Sequence, residues 1–232
     1  MNIIYFGYDL FAPCLKELVS NPEIKVLKVY SFKGDGYFDK NDEIRKICAV
    51  KNIPFTEEKI TVDELNYQFE KNGCSLAVSA GYAYRIPCES VPLFKGINLH
   101  PTLLPEGRGP WPMPHIILKG LKKSGVTAHK IAERFDEGEI LLQNSFEVAE
   151  NENYRSLEQK IKISALHLIK KLFADLENYF ENATLQSNGE YWKEPTAEQR
   201  TIYKDSTELE KDRIIRAFTE RYVIISDKNK GE

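Results

Sequence analysis

The sequence predicts an α/β fold built on a mostly parallel, doubly wound sheet with a short C-terminal extension. Three observations carry this. Short apolar runs alternate with stretches whose apolar residues fall at helical spacing through the first half of the chain. The runs are nearly continuous in apolar character, as strands covered on both faces are. After Gly96 the pattern changes, and the last two strands are joined by too few residues for a parallel crossover.

Residues 2–6 (NIIYF) form the first run, which ends at Gly7. Leu10, Cys14, Leu15 and Leu18 follow at helical spacing, so the chain opens as a β-turn-α unit. Residues 26–32 read as the second strand. The polar, glycine-bearing stretch KGDGYFDKND then leads to a helix with Ile44, Ile47 and Cys48 on one face. A short strand at 53–55, a helix at 62–71 and a buried-type strand at 75–79 continue the alternation, and right-handed crossovers would wind it into a Rossmann-like sheet. INLH is the next strand. A proline-rich loop over 101–114, a brief helix ending at Gly120, and strands at 125–131 and 139–148 follow. Segment 154–180 carries Leu157, Ile161, Leu166, Ile169, Leu172, Phe173 and Leu176 as a stripe expected to pack across the sheet. From Tyr191 the polarity is mixed, which predicts a partly ordered arm with a helix at 206–218 and frayed final residues. The expected division is a main domain at 1–183 and an arm at 184–232, with no internal repeat.

With 232 residues and 42% hydrophobic content the chain can bury one good core. Its net charge of −3 supplies no broad basic field, so nucleic acid is not the expected partner. Cys14, Cys48, Cys74 and Cys88 lie far apart, without a C-x-x-C pair or a histidine at zinc-ligand spacing. They read as buried thiols of a reducing compartment, and no metal is expected. The N-terminus has neither a basic n-region nor an apolar stretch long enough to span a bilayer, so the expected location is cytoplasmic, away from membranes.

The informative block is GINLHPTLLPEGRGPWP. Asn98 and His100 are two apart on a strand and so share a face at its carboxyl end, where sheets of this class build their sites. Pro101 ends the ladder and holds His100 at the last strand position. Farther on, FDEGEILLQ sets Asp136 on a glycine-bearing turn just before an apolar strand. Each residue alone has a structural explanation: a capped carbonyl, a packed histidine, an ordinary turn aspartate. An amide, an imidazole and a carboxylate could then converge on one crevice, and it is the combination rather than any single residue that points to a site. Gly7 does not open a dinucleotide fingerprint, because Tyr8 to Phe11 lacks the further glycines.

The ordered series NLHPTLLP, GRG, GVTAH and FDEGE resembles the folate-dependent formyltransferases, over roughly residues 1–150. The resemblance implies the formyltransferase fold, with Asn98, His100 and Asp136 at the catalytic positions and 10-formyltetrahydrofolate as formyl donor. It sets Thr102, Leu103, Leu104 and Pro105 beside the folate. In SAGYAYRIP it offers Tyr82, Tyr84, Arg85 and Ile86 to the pterin ring, with plain aromatic packing an equal alternative for the two tyrosines. His129 of GVTAHKI is similar to a histidine that supports the catalytic residues from behind. Tyr8, Arg108, Gly109 and Trp111 would face the acceptor, Arg108 toward phosphate and Trp111 by stacking.

The implied reaction passes the formyl group to a primary amine, with a nucleotide-linked amino sugar as the favoured acceptor. RTIYKDSTELEKDRIIRAF is similar to the start of the C-terminal domain of the family's tRNA branch, with Ile202, Ile214, Ile215 and Phe218 at matching places, but no barrel is expected to follow. The alternatives are formylation of methionyl-tRNA, hydrolysis of the formyl donor, and an idle folate- or nucleotide-binding module. A homodimer completed by the tail is compatible with all of them.

Overall fold

Strand β1 (Asn2–Gly7) lies at the centre of the sheet, with Ile3, Ile4, Tyr5 and Phe6 fully enclosed. It is flanked by β2 (Lys25–Tyr30) and β4 (Leu76–Ala80), both parallel to it. With β3 (Phe55–Thr56), β5 (Gly96–His100), β6 (Lys123–Lys130) and β7 (Ile140–Glu147) the order is β3-β2-β1-β4-β5-β6-β7. The first five strands are parallel; β7 runs against β6, as their short connection predicts, and β6 also runs against β5, across a longer, helix-bearing connection whose length left the direction open. This computed structural model describes residues 1–36, 38 and 40–231. Tyr37 and Asp39 of the KGDGYFDKND stretch, and Glu232 of the tail, lie outside the described residues.

Alternation along β1 sends Ile3 and Tyr5 to one layer and Ile4 and Phe6 to the other, the period-two consequence of the pleat. The first layer holds α1 (Ala12–Ser20), α2 (Asp42–Lys51), α4 (Pro112–Leu118) and α5 (Tyr154–Ala174). The second is smaller and contains Leu65 of α3 (Val62–Asn66), which continues into a π-helical turn at Tyr67–Lys71. Asn153 and Ser156 cap α5 reciprocally, satisfying two of the four free amides at its start. The long helix expected over 154–180 breaks at Asp175 (φ −154°, ψ 55°) and resumes as α6 (Leu176–Glu181). The predicted stripe is buried at Leu157, Ile161, Ile169, Leu172 and Leu176, and differs where Leu168 is fully buried and Leu166 only half-buried. The break carries Phe180 over the β5–β6 edge, with its ring centroid 4.2 Å from Lys95 Nζ and 5.6 Å from Lys130 Nζ.

Segment 184–192 lies along the carboxyl edge of the sheet. Thr184 pairs with Ile140, and the Trp192 amide donates to the Arg108 carbonyl at 2.7 Å. Beyond it, β8 (Thr201–Ile202) pairs in parallel with β9 (Ile224–Ile225), and α7 (Glu208–Tyr222) lies between them in the chain. The helix expected at 206–218 runs regularly as far as Phe218, and the chain kinks at Thr219 (φ +58°, ψ 169°) before a last helical turn to Tyr222. The two-residue strands were not foreseen, because two residues cannot display a period. Phe218 of α7 is fully buried, 5.8 Å from the Trp111 ring. All four cysteines are free and buried, and no helix of the described residues is long and apolar enough to cross a membrane.

Candidate active site

Asn98 and His100 stand on one face of β5 at its carboxyl end, and antiparallel pairing sets His129 of β6 directly opposite Asn98. The Asn98 Nδ2 to His129 Nε2 distance is 3.0 Å. His129 Nδ1 lies 2.8 Å from the Lys130 carbonyl, which can only accept, so Nδ1 carries the proton and Nε2 receives the Asn98 amide. The same amide nitrogen is 3.4 Å from Asp136 Oδ1, a long contact.

Asp136 occupies the β6–β7 connection with φ at +58°, a left-handed conformation that aspartate tolerates better than most residues. Its Oδ2 accepts the Gly109 amide at 2.9 Å, and its Oδ1 is 3.3 Å from His100 Nδ1. Behind it, Gln186 Nε2 donates to the Asp136 carbonyl at 2.8 Å and to the Gly138 carbonyl at 2.7 Å.

His100 is buried, and both ring nitrogens have partners that only accept: Asp136 on Nδ1 and the Gly107 carbonyl at 2.7 Å on Nε2. Satisfying both requires the imidazolium. Burial alone would lower the imidazole pKa, but the Asp136 charge, its hydrogen bond and the Gly107 carbonyl outweigh that and leave it above the ordinary histidine value. Burial would likewise raise the Asp136 carboxyl; attraction to His100 and the histidine contacts prevail and hold it far below the usual carboxylate range.

Tertiary contacts pin the GRG loop. A Cβ on Gly109 (φ +123°) would lie 2.1 Å from the Trp192 carbonyl oxygen, and one on Gly107 (φ +74°) 2.7 Å from the Trp192 ring. Only glycine lets Trp192 close on the loop while the Gly107 carbonyl reaches His100 and the Gly109 amide reaches Asp136.

These groups open onto a cavity of about 550 Å³ at the carboxyl ends of β1, β4 and β5. One lobe is walled by Tyr8, Phe32, Tyr82 and Tyr84, with Tyr82 and Tyr84 edge-on at 5.5 Å. The other is walled by Phe38, Trp111, Tyr154 and Tyr222, with Phe38 and Tyr222 stacked at 4.9 Å. Of the expected folate contacts, Tyr82, Tyr84, Arg85 and Ile86 line the cavity. The Tyr82 hydroxyl accepts the Ile60 amide at 3.1 Å, and Arg85 is paired with Glu89 at 2.6 Å. Thr102, Leu103, Leu104 and Pro105 do not line it. Thr102 Oγ1 donates to the Glu106 carbonyl at 2.8 Å and the Leu104 amide to Thr127 Oγ1 at 3.0 Å, so their polar groups brace the loop from behind.

On the expected acceptor side, Tyr8, Gly109 and Trp111 line the cavity. Arg108 does not: its guanidinium turns to Gln186 Oε1, with Nε at 3.0 Å and an η nitrogen at 2.7 Å, and to the Ser187 carbonyl. His115 is a packing residue, 2.8 Å from the Lys193 carbonyl, with its pKa lowered mainly by burial. His167 is exposed on α5. Sequence reasoning missed Phe38, Tyr154, Tyr222 and Gln186. Phe38 and Tyr154 begin or precede helices and gave no periodic signal, and Gln186 acts from a segment without one.

Residues 12–171 match the family described as formyl transferase. The chain belongs to the formyl transferase family. It is similar to a methionyl-tRNA formyltransferase of Wolbachia sp. subsp. Drosophila simulans (strain wRi), 30% identical over 184 residues, 76% of this chain and 62% of that one. It is also similar to a methionyl-tRNA formyltransferase of Thermodesulfovibrio yellowstonii, 33% identical over 176 residues, 72% of this chain and 57% of that one. The formyl transferase chain thus spans about three fifths of the length of these curated relatives. Among solved structures it shares its fold with an N-formyltransferase of Helicobacter canadensis complexed with folinic acid and dTDP-3-aminofucose (TM-score 0.75, 21% identity, 97% of this chain and 83% of that one). A 4-N formyltransferase of Francisella tularensis has the same fold (TM-score 0.73, 22% identity, 93% of this chain and 87% of that one).

Proposed function

We propose that this formyl transferase moves the formyl group of 10-formyltetrahydrofolate to a primary amine of a small molecule, with a nucleotide-linked amino sugar as the favoured acceptor. The observation that carries the reading is the buried His100–Asp136 ion pair beside Asn98 on the wall of a two-lobed cavity. A buried ion pair of this kind is costly to maintain, and a fixed positive charge beside a cavity is useful where negative charge develops during reaction. The sugar reading is supported by family members with this fold that were solved with a formyl-folate and a dTDP ligand. The methionyl-tRNA formyltransferase matches support a second reading with tRNA as acceptor, against which stands the net charge of −3. Four buried free thiols agree with a cytoplasmic setting.

In this mechanism the amine nitrogen attacks the formyl carbon and the carbonyl electrons move onto oxygen. Asn98 supplies a direct hydrogen bond: its N–H facing Asp136 at 3.4 Å is weakly held and turns to the oxyanion at small expense. His100 contributes charge rather than a free donor, since both of its N–H groups are already engaged. The proton lost by the attacking nitrogen passes by way of water near Asp136 to the departing folate nitrogen, the bond from formyl carbon to that nitrogen breaks, and tetrahydrofolate leaves.

The test is to mix the protein with 10-formyltetrahydrofolate and a panel of amines that includes amino-sugar nucleotides and methionyl-tRNA. Tetrahydrofolate release matched by one acceptor gaining a formyl group supports transfer and identifies the acceptor class. Release without a formylated product favours hydrolysis, and failure to bind the folate favours an idle module.

A further inference from the structure

We infer that Gln186, joined to Arg108, is a positioning residue: a carboxamide clamp that fixes the Asp136 turn so that its carboxylate meets His100. The catalytic meaning of the clamp rests on the proposed function, but its geometry does not.

A carboxamide has two N–H donors and two lone pairs, and Gln186 uses all four. Its Nε2 donates to the carbonyls of Asp136 at 2.8 Å and Gly138 at 2.7 Å, while its Oε1 receives Arg108 from Nε at 3.0 Å and from an η nitrogen at 2.7 Å. Three separate segments, the GRG loop, the aspartate turn and the extended segment 184–192, are thereby tied at one side chain. Its neighbour Leu185 is 79% exposed, so apolar burial does not hold the segment at that point; Gln186 adds to the Thr184–Ile140 pairing on one side and the buried Trp192 on the other.

The turn needs holding. Asp136 has φ at +58°, a left-handed conformation that a residue with a Cβ does not hold without support. That conformation is also what lets its carboxylate receive the Gly109 amide on one oxygen and face His100 with the other. Two donors on the carbonyls of Asp136 and Gly138 restrain the peptide units that follow these two residues, one at the start of the turn and one at its end. The arm therefore acts on the chemistry from behind the site, without contact with any reacting atom. Arg108, expected to meet an acceptor phosphate, has its guanidinium committed to the clamp instead.

The titratable groups set against His100 are Asp136 and, across that carboxylate, His129 of β6; the Gly107 carbonyl is its other polar neighbour. If the clamp opens and Asp136 withdraws, His100 loses that counter-charge and gives up its proton at lower pH.

The test follows the ring resonances of the four histidines by NMR as pH rises, in wild type, Gln186→Ala and Gln186→Glu, with His100 assigned from a His100→Gln variant. Gln186→Ala removes all four contacts. Gln186→Glu keeps an acceptor for Arg108 but turns carboxylate oxygens toward two carbonyl oxygens, so it retains the arm's anchor while releasing the turn. Both variants are expected to lower the His100 titration by about one unit or more, leave His115 unmoved, and lower kcat more than they raise KM for the folate. Circular dichroism checks that each is folded. A His100 titration unchanged from wild type in either folded variant would overturn the clamp, even if formyl transfer is found. Conversely, absence of any transfer activity would leave the titration able to decide the clamp alone.

Discussion

Replacing Asp136 with asparagine removes one charge from the site and almost no volume. In wild type the carboxylate accepts from His100 Nδ1 and from the Gly109 amide. Asparagine can keep its oxygen on Gly109 and turn its NH2 to Nδ1, provided that His100 is neutral and protonated on Nε2, where the Gly107 carbonyl still receives it. The network is thus re-satisfied and the fold spared, but the positive charge is lost. A unit charge about 4 Å from a developing oxyanion is worth roughly 4 kcal/mol at an effective dielectric near 20, which is close to a thousandfold in rate. Steady-state turnover with saturating donor and acceptor reads this directly, and folate affinity, measured separately by titration, should change little. The pH profile gives a second reading. Because His100 titrates above its ordinary value, its charge persists below that raised pKa and is lost as pH rises through it, so wild-type activity should hold past about pH 6.5. Turnover within threefold of wild type in a folded Asp136→Asn protein would refute the electrostatic argument.

Other substitutions separate the remaining contributions. Asn98→Ala should lower turnover roughly a hundredfold or more with an unchanged melting temperature, since it removes the one direct donor to the oxyanion; single-turnover kinetics checks it. His129→Ala leaves the Asn98 amide without the acceptor that orients it 3.0 Å away, and a turnover loss of about tenfold is expected from one hydrogen bond. Gly109→Ala would drive a Cβ to 2.1 Å from a backbone oxygen at φ +123°, so urea unfolding should show a loss of about 2–4 kcal/mol. The His100–Asp136 pair should also appear in stability. The contribution linked to Asp136, whose pKa is depressed, is present above the unfolded carboxyl value and lost as pH falls through the folded one. The contribution linked to His100, whose pKa is raised, is present below the unfolded imidazole value and lost as pH rises through the folded one. The stability gap between wild type and Asp136→Asn should therefore be widest at about pH 4–6.5 and shrink toward alkaline pH.

The strands of the sheet could be read from the sequence because burial on both faces demands continuous apolar runs, and the antiparallel pairing of β7 with β6 followed from a connection too short for a crossover; the reversal of β6 against β5 did not, because their connection is long enough for either direction. The convergence of Asn98, His100 and Asp136 on one cleft followed from strand spacing and a glycine-bearing turn. What remained hidden depended on tertiary closure. Arg108 between two glycines looks like a mobile loop cation, and only the approach of Trp192 and Gln186 turns it inward. Thr102 to Pro105 lie in sequence between His100 and the cavity's far wall, yet hydrogen bonds to Thr127 and Glu106 draw them behind it. Phe38, Tyr154 and Tyr222 come from three distant segments, so no local pattern announces that their rings share one lobe.

The central claim is that the donor's formyl group comes to rest against His100, with Asn98 and Asp136 at hand. It is tested most directly with 5-formyltetrahydrofolate, a stable isomer of the donor, carrying 13C in its formyl group and bound to the protein at saturation. The account predicts nuclear Overhauser effects from the labelled formyl proton to the His100 ring, abolished in His100→Gln. Effects confined to His115 or His167, or saturating binding with none to His100, would contradict it.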